Sequence, residues 1–211
     1  MSVAVINLAL HVSDCQQHYD SGMGRWEPDA GGRLAQAALA LYGENGFENT
    51  TVAEIAERAG LTERTFFRHF ADKREVLFAG GSALQELIVS VVADAPDSQA
   101  PIDAAAAGLE AAGEQFFVQE RRDFSRQRQA VIASNPELQE RELSKLAGLS
   151  TAIADALRRR GVDDPAAALT AEVAIAVFRT AFERWIDETN RHDFPQLVRE
   201  SLDQLKALTA A

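Results

Sequence analysis

The stretch TTVAEIAERAGLTERTFFRHFADKREVLF, from Thr50 to Phe78, decides the fold, because the start and stop signals of two short helices all sit inside it. Val52, Ile55, Ala56 and Ala59 recur at i, i+3, i+4 and i+7, which makes one apolar stripe on a helix. Thr51 is placed as its N-cap, and Glu54, three residues on, can reach back to the cap's own amide to complete a capping box. Gly60 is placed to take the left-handed position that ends the helix, where a Cβ would be strained. Thr62 caps the next helix after a single intervening residue, Leu61. So short a connection forces the two helices to cross steeply, as a helix-turn-helix requires.

On the second helix Phe66 and Phe70 fall on one face, one turn apart, while Arg64, Thr65 and Arg68 point the opposite way. Two arginines one turn apart suit a DNA major groove, since a guanidinium bonds bidentately to a guanine edge or clamps a phosphate. Phe67 and His69 lie on the flanks, where a duplex backbone would pass. Asp72 is expected to open a further helix with Lys73 and Arg74 in its first turn, where free amides and the positive end of the dipole favour a phosphate.

These residues resemble the tetracycline-repressor (TetR) family of one-component bacterial transcription regulators. The resemblance runs from Leu34–Tyr42, through G-F-x-x-T-T-V-x-x-I-A at Gly46–Ala56 and A-G-L-T-x-x-T-F-F-R-H-F at Ala59–Phe70, to K-x-x-V-L at Lys73–Leu77. It implies that the helix from Thr62 to Phe70 enters the major groove, and that Thr51, Thr62, Glu63, Arg64, Thr65, Phe67, Arg68, His69 and Lys73 contact DNA, with Thr51 and Lys73 on phosphates. Phe67 departs from the family's habit of a backbone-contacting tyrosine or histidine. Without a hydroxyl it can only pack on a sugar or a thymine methyl. The competing reading is a plain helical bundle with a solvated arginine face.

The 211 residues suffice for one or two modest domains with a substantial core. Abundant alanine and no alternating strand pattern point to an all-α protein of about nine helices. The domains expected are an N-terminal extension over 1–28, a three-helix DNA-binding domain over 29–79, and a larger helical effector-binding and dimerisation domain over 80–211. The net charge of −11 is unevenly spread: Gly31 to Phe78 holds six basic and seven acidic residues, leaving the rest of the chain to carry −10. An acidic body repels DNA everywhere except at the reading surface, which favours one docking orientation and strong salt dependence.

Cys15 is alone, so neither a disulfide within the chain nor a thiolate zinc site is expected, and no cofactor is implied. The apolar stretch Val3–Leu10 lacks a basic lead and a cleavage site and is too short to cross a bilayer, so a cytoplasmic protein without a membrane partner is expected. Met1–Gly22 lies outside the resemblance, and Met23 opens Met-Gly-Arg-Trp as a more usual start, so the extension reads as upstream or disordered sequence.

Further along, Leu34, Ala38, Leu41 and Tyr42 form the apolar face of a first helix ended by Gly46. A long linking helix is expected from Asp72 through Leu84, Leu87, Ile88 and Val91 to the break at Ala95-Pro96, weakened at Ala79-Gly80-Gly81. Helices are then expected at Ile102–Gln119, Arg122–Ala133, Pro136–Arg160, Pro165–Arg191 and Phe194–Leu208, with Asn135 and Asp164 as caps before prolines and Gly161 as a stop. The helix from Pro165 is apolar nearly all round, with Ala167, Leu169, Val173, Ala174, Ile175, Val177, Phe178, Ala181, Phe182, Trp185 and Ile186, so it needs cover on two sides. The last helix adds the stripe Leu197, Val198, Leu202, Leu205 and Leu208. The resemblance implies that these two helices build a four-helix interface in a homodimer, whose two reading helices would lie about one DNA turn apart.

A small-molecule effector is implied by the resemblance, and Phe116, Phe117, Phe124, Leu146, Leu149, Ile153, Phe178, Phe182 and Trp185 are the candidate lining. Arg121, Arg122, Arg126 and Arg128 offer an anion site or a solvated face. Arg141 to Gly161 looks like actinobacterial regulators with a mycofactocin-regulator type of C-terminal region, which implies an acyl thioester or another lipophilic anion. An enzyme finds little support: the four histidines are scattered, Glu188 and His192 are spaced for a surface helical pair, and no nucleophile elbow or phosphate loop occurs. The reading reached is a ligand-responsive repressor of a palindromic double-stranded DNA operator. The alternatives are an all-helical protein-binding adaptor and a small helical enzyme.

Overall fold

The computed structural model describes residues 30–209. The expectations for the extension over 1–28, for Cys15, His11 and His18 and for a start at Met23 lie outside the described residues. Those described fold as nine α-helices with two short 3-10 turns and no strand.

The first three helices pack as a head. α1 (Ala30–Asn45) buries Leu34, Ala38, Leu41 and Tyr42; α2 (Val52–Arg58) buries Ile55 and Ala56; and α3 (Glu63–His69) buries Phe66. Gly46, Gly60, Gly80 and Gly161 all have positive φ. At Gly60 (φ +68) the backbone folds so tightly that an added Cβ would stand 2.9 Å from Arg33 Nη2, the group that donates to the Ala59 carbonyl.

After α3 the chain departs from the expected continuous helix. Residues Glu75–Phe78 form a 3-10 turn, Gly80 turns left-handed (φ +82), and α4 (Gly81–Asp94) starts afresh. The body consists of α4, α5 (Pro101–Phe116), α6 (Arg122–Ala133), α7 (Pro136–Arg159), α8 (Asp164–Ile186) and α9 (Phe194–Thr209). α4 packs on α5 and α7, and α8 is wedged among α5, α7 and α9. By length and composition alone the 23 residues of α8 could cross a membrane, yet here they line the bundle core through Ala167, Ala171, Ala174, Val177, Ala181 and Trp185.

The remaining boundaries differ from expectation for local reasons. α8 ends at Ile186 rather than Arg191 because Asp187 is extended and its Oδ1 accepts from the Thr189 amide (2.7 Å) and hydroxyl (2.5 Å), an Asx-type turn that takes the chain out of the helix. Glu188 and His192 are therefore not a helical pair: Glu188 meets Arg126 at 3.3 Å and His192 Nδ1 meets Glu200 Oε1 at 2.9 Å. Neither expected proline-preceding cap forms its bond. Asn135 Nδ2 donates back to Val131 O (2.6 Å), and the N-cap of α8 is Asp163, with Asp164 accepting from Arg158 Nε at 2.5 Å.

Two apolar clusters make up the core. The larger joins α4, α5, α7, α8 and α9 around Ile88, Leu109, Ile153, Leu157, Trp185 and Phe194. The smaller holds the head, and it also contains Ile132 and Leu138 from α6 and α7, both with no exposed surface. The head core is thus completed by the body.

The glycine at the head's tight turn and a glycine in open helix should respond in opposite ways. Gly60→Ala is expected to destabilise by about 1–2 kcal/mol through left-handed strain, whereas Gly148→Ala, with nothing near its added Cβ, should stabilise by about 0.5–1 kcal/mol. Chemical denaturation midpoints of the two variants check this.

Candidate DNA-binding interface

Both helices of the pair are capped at their N-termini. Thr51 Oγ1 accepts from the Glu54 amide (3.2 Å) while Glu54 Oε2 accepts from the Thr51 amide (2.8 Å), so the capping box is complete. The Thr51 amide and, at 2.8 Å, the Thr51 hydroxyl, both donating to Glu54 Oε2, hold the Glu54 carboxyl below its ordinary range. Thr62 Oγ1 accepts from the Thr65 amide at 3.2 Å and starts α3. Leu61 N reaches back to Ala56 O (2.8 Å), closing the turn around Gly60.

From this frame α3 projects an exposed face. Phe66 is wholly buried and Phe70 is half-buried behind it, their rings 5.5 Å apart. Glu63, Arg64, Phe67, Arg68 and His69 are exposed and Thr65 is half-buried. Thr62, Arg64, Thr65, Phe67 and Arg68 together line an open hollow of about 430 Å³. Among the described residues neither Arg64 nor Arg68 has an ion-pair partner, so both guanidinium groups are available to a polyanion. His69 stands at the other end, where a Cβ on Gly31 of α1 would lie 3.8 Å from its Nδ1.

Lys73 is placed differently from the expectation of a free phosphate contact. Its Nζ donates to the carbonyls of Phe47 (2.9 Å), Glu48 (3.2 Å) and Thr50 (3.2 Å) and sits 4.4 Å from the Phe47 ring centroid. All three donors of the ammonium are engaged within the chain. A phosphate contact would have to draw on those same donors. The anion site expected at the start of the following helix is already filled, because Asp72 Oδ1 accepts from the Arg74 (2.8 Å) and Glu75 (3.2 Å) amides and Oδ2 takes the Arg74 guanidinium at 2.6 Å. The Arg74 side chain, ahead of those backbone amides, holds the Asp72 carboxyl below its ordinary range.

The groups joining head to body were not foreseen. Arg128 of α6 donates from Nε to the Leu77 carbonyl (2.5 Å), lies 5.0 Å from the Phe78 ring centroid and faces Glu142 of α7 at 3.4 Å. Burial pulls its guanidinium down from the ordinary value, opposed by Glu142. Glu75 receives Arg141 and, at 3.0 Å, Lys145, both from α7. No sequence signal marks the bonds from Arg128 to Leu77 and from Arg141 and Lys145 to Glu75, since their partners are 51, 66 and 70 residues apart.

The same side chains correct the arginine site expected on α6. Arg122 is buried and donates to Asp187 O (2.6 Å) and Asn190 O (3.0 Å), Arg126 pairs with Asp123 and Glu188, and Arg128 serves the junction; only Arg121 is exposed. Of the nine apolar residues expected around an effector, eight join the body core. Phe124 instead packs against the head cluster, since its helix bridges the two. Aromatic members of the eight pack ring against ring: Phe117 stacks on Phe194 at 4.4 Å and meets Phe178, Phe182 and Trp185 edge-on at 5.5–5.8 Å. An open hollow of about 420 Å³ lies instead at the polar end of α8, lined by Glu183, Arg184, Asp187, Thr189 and Asn190.

Comparison with known proteins agrees with this geometry. A family profile described as bacterial regulatory proteins, tetR family, matches residues 34–79, and one described as the MftR C-terminal domain matches residues 99–210. The chain is 28% identical over 176 residues to MftR of Mycobacterium tuberculosis, named for transcriptional regulation of mycofactocin biosynthesis, covering 80% of this chain and 85% of that protein. It is 40% identical over 72 residues to the HTH-type transcriptional regulator TcmR of Streptomyces glaucescens, covering 34% of this chain but only 32% of TcmR. Among solved structures, the complex of Stenotrophomonas maltophilia SmeT with triclosan is similar in fold, with a TM-score of 0.60 and 21% identity over 85% of this chain and 90% of that one.

Because Asp72 has a lowered pKa, its contribution to stability is present above the unfolded-chain carboxylate pKa of about 4 and disappears as pH falls through the lower folded value. Asp72→Asn is therefore expected to be less stable than the parent at neutral pH, with the two converging on acidification. Thermal melts of both proteins from pH 7 to pH 2 test this.

Proposed function

Because the chain belongs to the TetR family of bacterial regulatory proteins, we propose that it is a homodimeric repressor that reads a palindromic operator through α3 and is released by a small lipophilic or anionic effector. The observation that carries this reading is the pair of unpaired arginines, Arg64 and Arg68, on the exposed face of a helix whose opposite face is locked by Phe66. Thr51, Thr62, Glu63, Thr65 and His69 surround the arginines as further contacts, and Lys73 supports the surface from behind through its three carbonyls. A regulator of this kind works where the DNA is, in the cytoplasm, and needs neither metal nor catalytic group.

The dimer contact is assigned to α8. Leu169, 67% exposed, lies one turn from half-buried Val173 and continues into exposed Ala176 and Thr180 on one side of the helix. Uncovered leucine and valine beside small residues suit close approach of a second copy. α9 contributes less apolar surface than expected, since Leu197, Val198 and Leu202 are buried against its own subunit.

For the effector we assign the aromatic hub around Phe117. Its rings fill the space between helices, so an occupant must displace them, and lipophilic chemistry is what such a lining accepts. SmeT, crystallised with triclosan, and the MftR-type C-terminal region point to the same class. Displacement at the hub can reach the head through α6 and α7, which hold the 3-10 turn by Arg128, Arg141 and Lys145. Release then requires the ligand to bind the displaced geometry more tightly than the DNA-bound one.

Selection of duplexes from a random library at fixed moderate salt should enrich a palindrome with the parent protein and nothing with a folded Arg64→Ala/Arg68→Ala variant. No enrichment by folded parent protein would return the reading to an adaptor. In sedimentation velocity the parent should run as a dimer, and Leu169→Glu should shift it at least tenfold toward monomer, with its helical content kept. A dimer indifferent to Leu169→Glu places the interface elsewhere.

A further inference from the structure

We propose that α8 selects a second copy of this chain through a charge pair in one fixed antiparallel register, with Arg179 facing Glu172 of the partner subunit about a twofold axis at Ala176, an inference that rests on the dimer reading above. The register follows from which residues of the helix are exposed. Beyond the first turn of α8 every exposed residue falls on one of three lines seven apart: Leu169, Ala176 and Glu183; Glu172 and Arg179; and Thr180, seven after half-buried Val173. A seven-residue recurrence is what a seam for another helix requires, and here it lies on the solvent side, away from the subunit's own core.

Neighbouring bonds fix the order of the lines. Glu172 lies toward α7, since its Oε1 accepts from Ser150 Oγ at 2.6 Å, and the Thr180 line lies toward α9, since Arg184, one turn on, pairs with Glu200 at 2.5 Å. The line of Leu169, Ala176 and Glu183 runs between them.

Charge then decides the direction. Two identical helices packed parallel about a twofold set each position against its own copy, which puts arginine on arginine and carboxylate on carboxylate. Packed antiparallel, they set a position before the axis against the one equally far after it. Leu169 and Glu183 are each seven residues from Ala176, Glu172 is four before it and Arg179 three after, and Val173 is three before it and Thr180 four after. To within one residue, a single axis therefore places arginine opposite carboxylate twice on the α7 side and Val173 against Thr180 on the α9 side, and it brings the smallest side chain of the seam to the crossing.

Among the described residues Arg179 makes no hydrogen bond or ion pair, while buried Ser150 holds Glu172 in place. On α9, by contrast, Arg199 and Lys206 are already bound to Glu110 and Asp103 of α5. A helix carrying other charges at the two positions meets a mismatch, so the pair discriminates self from non-self.

The test reverses the charges singly and together. In sedimentation equilibrium of the full chain, Arg179→Glu and Glu172→Arg should each dimerise about tenfold more weakly than the parent, because two pairs per dimer turn from attraction to repulsion. Mixed in equal amounts, the two variants should recover dimers at parent strength, with one chain of each in native mass spectrometry. The double variant Glu172→Arg/Arg179→Glu should pair with itself and not exchange with the parent. Arg179→Glu breaks no bond within the subunit, so its loss reads the interface even where Glu172→Arg, deprived of the Ser150 contact, loses helix. Raising the salt should narrow the gap between the parent and Arg179→Glu. A parent dimer indifferent to Arg179→Glu, a gap that salt leaves unchanged, or a mixture of folded variants no tighter than either alone overturns the proposal. A parent that stays monomeric overturns the dimer reading instead, so the two failures are distinct.

Discussion

The reading surface depends on one ammonium group. Lys73 gathers the carbonyls of Phe47, Glu48 and Thr50, which lie between α1 and α2, onto the segment that follows α3. In return the Lys73 carbonyl accepts from Tyr42 Oη of α1 at 2.6 Å, and burial pushes that phenol well above its ordinary range, so it stays a donor. Phe47 O also accepts from the Thr50 amide at 3.3 Å and Glu48 is exposed, so the ammonium's main effect is to draw three carbonyls of one loop onto one point. With these four bonds made, the chain before α2 and the chain after α3 are tied together, which restrains the helix pair between them and sets how the arginine face is presented.

That clamp explains why the head is not an independent unit. Its core is finished by Ile132 and Leu138, and its last segment, the 3-10 turn Glu75–Phe78, is held from the body by Arg128, Arg141 and Lys145. The residues that orient the reading helix are therefore directly continuous with those that α6 and α7 can move. A tilt of α6 carries Arg128, and with it the Leu77 carbonyl, only four residues from Lys73. Exposed ion pairs contribute little on their own. The Arg128 contact is different because its guanidinium is largely desolvated and satisfies a backbone carbonyl, so it cannot be released without a replacement. The left-handed Gly80 lets α4 change direction independently of this anchored turn.

How much of this was legible in the sequence follows from the range of the interactions. The capping box at Thr51 and Glu54, the cap at Thr62, the left-handed Gly46, Gly60 and Gly161, and the division of α3 into a Phe66 face and an Arg64/Arg68 face are all decided within four residues. Each stands in the structure as read. The two proline-preceding caps were misjudged for a comparable local reason: Asn135 has a free carbonyl behind it at Val131, and Asp164 has Arg158 within reach, so both side chains are drawn away from the amides they were expected to cap. The continuous linking helix failed because apolar periodicity cannot register a single residue's positive φ. The role of Lys73, the Arg128 junction and the packing of Phe124 against the head cluster rest on contacts between distant segments, which no spacing rule encodes.

The aromatic hub poses the sharpest question of mechanism. In the proposed effector site the rings are already packed against one another, so a ligand entering there must offset the lost contacts, and the edge-on and stacked geometry around Phe117 makes those contacts individually weak but collectively substantial. The same rings hold α5, α8 and α9 together, since Phe117 follows α5, Phe178, Phe182 and Trp185 belong to α8, and Phe194 opens α9. An occupant that parts them must shift at least one of those helices. Beyond α8, Asp187 and Asn190 give their carbonyls to Arg122 at the first turn of α6. Arg122 and Arg128 lie on the same twelve-residue helix. α6 thereby joins the stretch after α8 to the 3-10 turn of the head, through Arg122 at one end and Arg128 further along, and on the proposed reading a displacement at the end of α8 would pass along it.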